Sequence, residues 1–141
     1  LRKTVGTITV DFDETLTHYA EWAGVTVPDI LKVNKLSRQT KIKVNQKIRI
    51  PFTSKTPESF TENRQEFHRA IQEDFYNNFR VSQISVRPIK KGETLWDICN
   101  GAYVVPFWLL SNYNPDKDIA SLSEAQSIIV PTILPVKSSD A

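Results

Sequence analysis

The sequence has no methionine, one cysteine, two histidines and four glycines among its 141 residues. A single thiol, Cys99, cannot close an intramolecular disulfide, which excludes a stapled secreted miniprotein. His18 and His68 stand in no Cys/His cluster with ligand spacing, so neither a metal nor another cofactor is expected. Apolar runs fall well short of the ~20 residues that cross a bilayer as a helix, and no charged start followed by an apolar stretch resembles a signal peptide. Charge of one sign is also scarce. The 18 basic and 16 acidic side chains leave +2, far from the basicity of a dedicated nucleic-acid binder. The missing methionine and the start at Leu1 lead us to expect a processed product or an excerpt of a longer chain.

What is present is ordinary in bulk: 40% hydrophobic and 24% charged residues, the usage of a globular domain. The length suits one domain or two very small ones. Charge is distributed unevenly, with +4 over residues 1–52 and −1 over each of 53–84 and 85–141. An anionic partner would therefore favour the first third.

An internal repeat organises the chain. Glu14-Thr15-Leu16 overlies Glu93-Thr94-Leu95 at an offset of 79, with Val10 on Ile89, Tyr19 on Ile98 and Ala20 on Cys99. With one residue dropped, Val27-Pro28 meets Val105-Pro106 and Leu31 meets Leu109. Both copies close on an alternating strand ending in proline, Lys47 to Pro51 and Ser127 to Pro131. Each copy reads as strand, short helix, short helix, strand. The first strands are expected at Thr7 to Phe12 and Val86 to Lys90. The first helices are expected behind the cap residues Thr15 and Thr94, and the second helices near Pro28 and Pro106. The closing proline should stop each last strand.

Between the copies, Thr56-Pro57-Glu58 opens a helix whose Phe60, Phe67, Ile71 and Phe75 share one face. That stripe either adds burial to modules near the lower size limit for a core or binds a protein partner. The expected organisation is module one at 1–52, a linker with an amphipathic helix at 53–84, module two at 85–133 and a flexible tail at 134–141.

One stretch carries two readings. Ile8 to Thr17 contains an apolar strand followed by Asp11-Phe12-Asp13-Glu14-Thr15, which resembles the first motif of haloacid dehalogenase-type phosphatases. That resemblance implies Asp11 as nucleophile and Asp13 as acid/base beside magnesium. Such a site also needs a parallel sheet and later carboxylates, and no second acidic motif of that kind follows.

The repeat accounts for more residues. Ile89-Lys90-Lys91-Gly92-Glu93-Thr94-Leu95-Trp96-Asp97-Ile98 with Tyr113-Asn114-Pro115-Asp116 resembles the lysin motif (LysM) family. So do Asp13-Glu14-Thr15-Leu16, Ala23-Gly24-Val25, Ile30 to Asn34 and Asn45 to Pro51, and together the two matches cover about 95 residues. The resemblance implies an α+β fold of two βααβ modules. It also implies noncatalytic binding of N-acetylglucosamine-containing glycan, peptidoglycan or more narrowly a chitin-like polymer. The sequence departs from the family pattern where Asp13 replaces a turn glycine and where Asn45 and Ala125 precede the last strands. With only one cysteine, the chain lacks the cysteine pairs common in eukaryotic LysM proteins, so the expected setting is a bacterial envelope, in the periplasm or at the cell surface.

Carried over residue by residue, the first groove would use Asp13, Glu14, Thr15, Leu16, Asn34 and Ile42. The second would use Gly92, Glu93, Thr94, Leu95, Asn114, Pro115 and Leu122, with Asn112 competing for the asparagine position. Trp96 is the favoured exposed platform for a sugar face, whereas Trp108 is read as core. Glu14 and Glu93 look the more ligand-directed, because a turn carboxylate has no packing reason to recur. The threonines also read as helix caps, the leucines as core and the asparagines as turn closers. Cys99 is expected to be a buried inert thiol, and His18 and His68 to be surface residues. The basic run Lys32, Lys35, Arg38, Lys41, Lys43, Lys47 and Arg49 reads as a solvated face able to draw the module toward anionic wall polymer. A scaffold that binds a protein through the helix stripe is the remaining alternative.

Overall fold

The computed structural model describes residues 4–124 and 126–136. Strand β1 (Thr4–Thr9) is followed by helices α1 (Leu16–Ala23) and α2 (Val27–Val33), strand β2 (Lys47–Phe52) and the long helix α3 (Pro57–Asn78). The order then recurs as β3 (Phe79–Pro88), α4 (Leu95–Cys99), α5 (Phe107–Tyr113), one 3-10 turn (Ile119–Ser121) and β4 (Ser127–Pro135). Helices and small antiparallel sheets make this an α+β fold, and the chain divides between Ile71 and Gln72 into two units.

In the first unit β1 pairs antiparallel with β2, placing Ile8 opposite Ile48 and Gly6 opposite Ile50. Alternation sends Ile48 and Ile50 inward, each fully buried, and leaves Lys47 and Arg49 outside. The helices start where their caps dictate. The Thr15 hydroxyl accepts the His18 amide, and the Thr26 hydroxyl accepts the Asp29 amide. Gly24 ends α1 in the left-handed region at φ 72°. Tyr19, Trp22, Ala23 and Ile30 close over the sheet.

Helix α3 is more than a linker. Phe60 is 2% exposed and meets Trp22 and Phe52 edge-on, with ring centroids 5.6 Å and 5.7 Å away. Phe67 packs on Trp22 and His18. Burying one such ring stabilises by about 2 kcal/mol, a large increment for a core of this size. In the second unit Phe75 is buried edge-on against Trp108. Phe67 and Ile71 are half-buried. The Phe60–Phe75 stripe therefore adds burial at both its ends, the first of the two alternatives.

In the second unit β3 pairs antiparallel with β4 from Phe79↔Pro135 to Pro88↔Ser127, with one irregularity between Val81 and Gln83. Its core holds Ile89, Ile98, Cys99, Trp108, Leu109, Leu110 and Ile128.

Several expected boundaries move. Strand β1 begins earlier than expected and β3 is longer, reaching back to Phe79. Neither closing proline stops its strand: Pro51 sits inside β2 opposite Val5, and Pro131 sits inside β4 opposite Ile84. In a two-stranded ribbon each strand has one unpaired edge, where proline forfeits no ladder bond. Most of the expected tail, 137–141, lies outside the described residues, as does Ala125. Pro135 ends β4, and the Val136 amide donates to the Asn78 carbonyl.

Candidate functional site

The β1–α1 loop and the α2–β2 loop of the first unit leave neighbouring strand ends. The Val10 amide donates to the Gln46 carbonyl at 2.9 Å, and the Asn45 amide donates to the Val10 carbonyl at 2.8 Å. In the second unit the Ile89 amide donates to the Gln126 carbonyl at 2.9 Å. These paired loops hold the residues expected to form a groove.

A turn built the same way in both units opens each first helix. Asp13 and Gly92 both adopt left-handed backbone, at φ 68° and 77°. Asparagine and aspartate tolerate that region better than other side chains, so Asp13 stands in for a glycine. Asn45 does so too, at φ 74°.

The next residue is where the structure departs most from expectation. Glu14 Oε1 accepts the Asp11 amide at 3.0 Å, and Glu93 Oε1 accepts the Lys90 amide at 3.0 Å, so each carboxylate closes its own turn. This is the packing reason for their recurrence, and it withdraws their status as the more ligand-directed residues. The Glu14 side chain is fully buried. It receives Arg64 Nε at 2.6 Å and Nη2 at 2.7 Å, the Tyr19 hydroxyl at 2.5 Å and His68 Nε2 at 2.7 Å. Arg64 also donates to the Thr9 carbonyl. Burial pushes the Glu14 carboxyl up, but the bonds from Arg64, Tyr19, His68 and the Asp11 amide outweigh it and hold it at about 2. Burial and the Glu14 carboxylate raise the Tyr19 hydroxyl. Glu93 is paired with Arg87, whose bond lowers its carboxyl to about 2.

Asp11, Glu14 and His68 bring ligand-type atoms within 4.8 Å of one another. The guanidinium of Arg64 already engages both Glu14 oxygens, so Arg64 is the cation of this cluster. His68 is half-buried in it. His18 is half-buried as well, accepting the Thr15 amide and stacking on Trp22 at 5.4 Å. Neither histidine is the surface residue expected. Asp11 bonds the Phe12 amide, and among the described residues both sheets are antiparallel pairs. Among the described residues these are not the parallel sheet that the phosphatase reading needs.

Both asparagines are structural. Asn34 Nδ2 donates to the Ile30 and Arg49 carbonyls while its Oδ1 accepts the Arg49 amide, tying α2 to β2. Asn114 does the same for α5 and β4, which settles its competition with Asn112. The equivalence also corrects the expected alignment. The offset rises to 80 behind the first helix, so Val25 pairs with Val105 and Ile30 with Leu110, and the N-caps are Thr26 and Pro106.

Of the other expected contacts, Thr15 and Thr94 cap α1 and α4 at the surface, the latter reciprocated by Asp97. Leu16, Leu95, Ile42 and Leu122 are half-buried, Leu16 and Ile42 against the first core. Pro115 is exposed, and Trp96 is 55% exposed. Trp22 and Trp108 are core. Cys99 is fully buried, and burial raises its thiol to about 11. A separate cleft of about 390 Å³ lies between α2 and the sheet, near Val25, Asp29, Val33 and Pro51, and none of the expected contacts lines it. The sequence reading does not include the partners Tyr19, Arg64, His68 and Arg87; Tyr19 and Arg87 lie five and six residues from their carboxylates, whereas Arg64 and His68 lie 50 and 54 away and leave no local signal.

Strand, capped helix, capped helix and strand, tied by an asparagine and opening two loops side by side, define a small βααβ module. Residues 8–51 match the family model of the LysM domain, and a LysM domain is found there. LysM domains generally bind N-acetylglucosamine-containing glycans such as peptidoglycan or chitin. They occur in cell-envelope or extracellular proteins. Among the described residues no helix is long and apolar enough to cross a membrane. No curated protein matches the chain.

Proposed function

We propose that the chain is a noncatalytic binder of N-acetylglucosamine-containing wall glycan with two LysM modules, and that peptidoglycan of a bacterial envelope is its ligand. The observation that carries this reading is the hydrogen-bond skeleton of the matched domain. Its turn carboxylate, threonine cap, helix-to-strand asparagine and Gln46 all recur in the second unit, as Glu93, Thr94, Asn114 and Gln126. Exposed Thr15, Thr94, Pro115 and Trp96 and the left-handed turns at Asp13 and Gly92 are the groups available to a sugar. Weak sites repeated on one chain gain on a polymer through effective concentration.

Retention on insoluble peptidoglycan, with chitin and cellulose as comparators, tests the proposal. Retention on peptidoglycan and none on cellulose is expected. Equal recovery from all three matrices, or none from any, contradicts it.

A further inference from the structure

The two units share one skeleton but carry opposite charge on corresponding loops. In the first unit the α2–β2 loop bears Lys35, Arg38, Lys41 and Lys43 and no acidic residue. Acids are in fact missing from the whole stretch between Asp29 and Glu58. All four cations are exposed, and among the described residues none makes an ion pair. The α5–β4 loop, in the same place in the second unit, bears Asp116, Asp118 and Glu124 against Lys117 alone.

Folding does not require either sign. Both loops are closed by the same bond: the Lys43 amide donates to Gln46 Oε1 at 2.9 Å, and the Ser123 amide donates to Gln126 Oε1 at 2.8 Å. Both leave the same asparagine. The second unit serves as an internal control in which the skeleton stands with the charge reversed. Four like charges on one short loop repel one another, and in an exposed setting that repulsion is offset only by counterions or by an anionic partner.

The facing loops complete the pattern. Asp11 and Asp13 line the opposite side in the first unit, Glu14 being neutralised by Arg64, whereas Lys90 and Gly92 occupy those places in the second, with Lys91 between them in the place of Phe12. The first rim therefore has net positive charge concentrated on its α2–β2 side, and the second is balanced.

We propose that the α2–β2 loop of the first unit is a recognition surface for the carboxylates of an anionic glycan strand. It would make this unit select peptidoglycan with free stem carboxylates over a neutral N-acetylglucosamine polymer. The inference rests on the glycan-binding reading above and assigns the anionic part of the ligand to Lys35, Arg38, Lys41 and Lys43. Lysine and arginine on a mobile-stemmed rim suit scattered carboxylates better than a single fixed anion. Nucleic acid fits less well, because this loop interleaves no aromatic side chain with its cations.

The test uses the full chain and three matrices: peptidoglycan, the same peptidoglycan with its carboxylates amidated, and chitin. The wild type should be retained roughly tenfold more tightly on native than on amidated peptidoglycan, the combined effect of four exposed pairs at about twofold each. That preference should shrink between about 0.05 M and about 0.5 M salt. The quadruple variant K35Q/R38Q/K41Q/K43Q should not distinguish the two forms, while Lys55→Gln, exposed but off the rim, should keep the preference. Circular dichroism establishes that each variant is folded. Equal wild-type binding to native and amidated peptidoglycan overturns the inference and leaves the glycan reading standing. Absence of binding to all three matrices overturns both. Equal retention on an unrelated polyanion such as polyglutamate, with the same salt dependence, also overturns the inference, since charge alone would then explain retention.

Discussion

Asn34 and Asn114, 80 residues apart, make the same three hydrogen bonds. Each donates to a carbonyl four residues back and to a carbonyl fifteen residues ahead, and accepts the amide of that second residue at 2.7 Å or 2.9 Å. One side chain thus replaces a missing strand partner and locks helix to sheet. The two sites differ in burial: Asn114 is 1% exposed, whereas Asn34 is half-buried.

That difference sets the first expectation. Asn114→Ala leaves the Ile129 amide and carbonyl unpartnered in a dry site and should cost about 2–3 kcal/mol, whereas Asn34→Ala, with water at hand, should cost about 1–2 kcal/mol. Urea unfolding followed by tryptophan fluorescence measures both. Equal small losses would mean that the bonds do not hold helix to strand.

The Glu14 cluster predicts a pH dependence. Its folded carboxyl lies at about 2 against an ordinary 4.5, so the unfolded chain takes up its proton first as pH falls. The stabilisation is fully present above about pH 4.5 and is lost as pH falls toward about 2, amounting to about 3 kcal/mol. Glu14→Gln should remove most of this contribution and flatten the acid limb of a stability curve. An unchanged limb would contradict the assignment.

The turn residues predict opposite signs for reciprocal changes. Asp13→Gly relieves left-handed strain and should stabilise by about 0.5 kcal/mol, whereas Gly92→Ala should cost about 1 kcal/mol. A Cβ at Gly92 meets nothing within 4 Å, so any loss there is conformational rather than steric. Thermal melting of the two variants reads both.

Cys99 should be silent toward thiol reagents. Fully buried, with burial raising its thiol to about 11, it should react with an aromatic disulfide at pH 8 only as fast as the second unit opens. Modification at the rate of a free thiol would contradict the buried assignment.

Much of this fold is legible in the sequence because its signals are local. The Glu-Thr-Leu turns, the threonine caps and the alternation of Ile48 with Ile50 each lie within a few residues. Long-range pairings are not local. Arg64 and His68 reach Glu14 from 50 and 54 residues away, so the carboxylate that looked ligand-directed is buried. The Phe60 stripe gave its periodicity but not its counterpart, the Trp22 and Phe52 rings. The offset behind α1 is not legible because Pro28 and Pro106 look equivalent yet occupy different cap positions, N2 and N-cap. The thin candidate site has the same cause. A groove built from backbone atoms leaves few diagnostic side chains, Trp96 being the clearest.

The most direct test of a glycan-binding module is a titration of the isotopically labelled chain with an N-acetylglucosamine oligomer, followed amide by amide. Shifts confined to residues 11–16 and 34–46 of the first unit and to 90–96 and 114–124 of the second are expected. Shifts gathered instead at the cleft beside Val25 and Val33, or an unmoved spectrum at saturating sugar, would contradict that expectation.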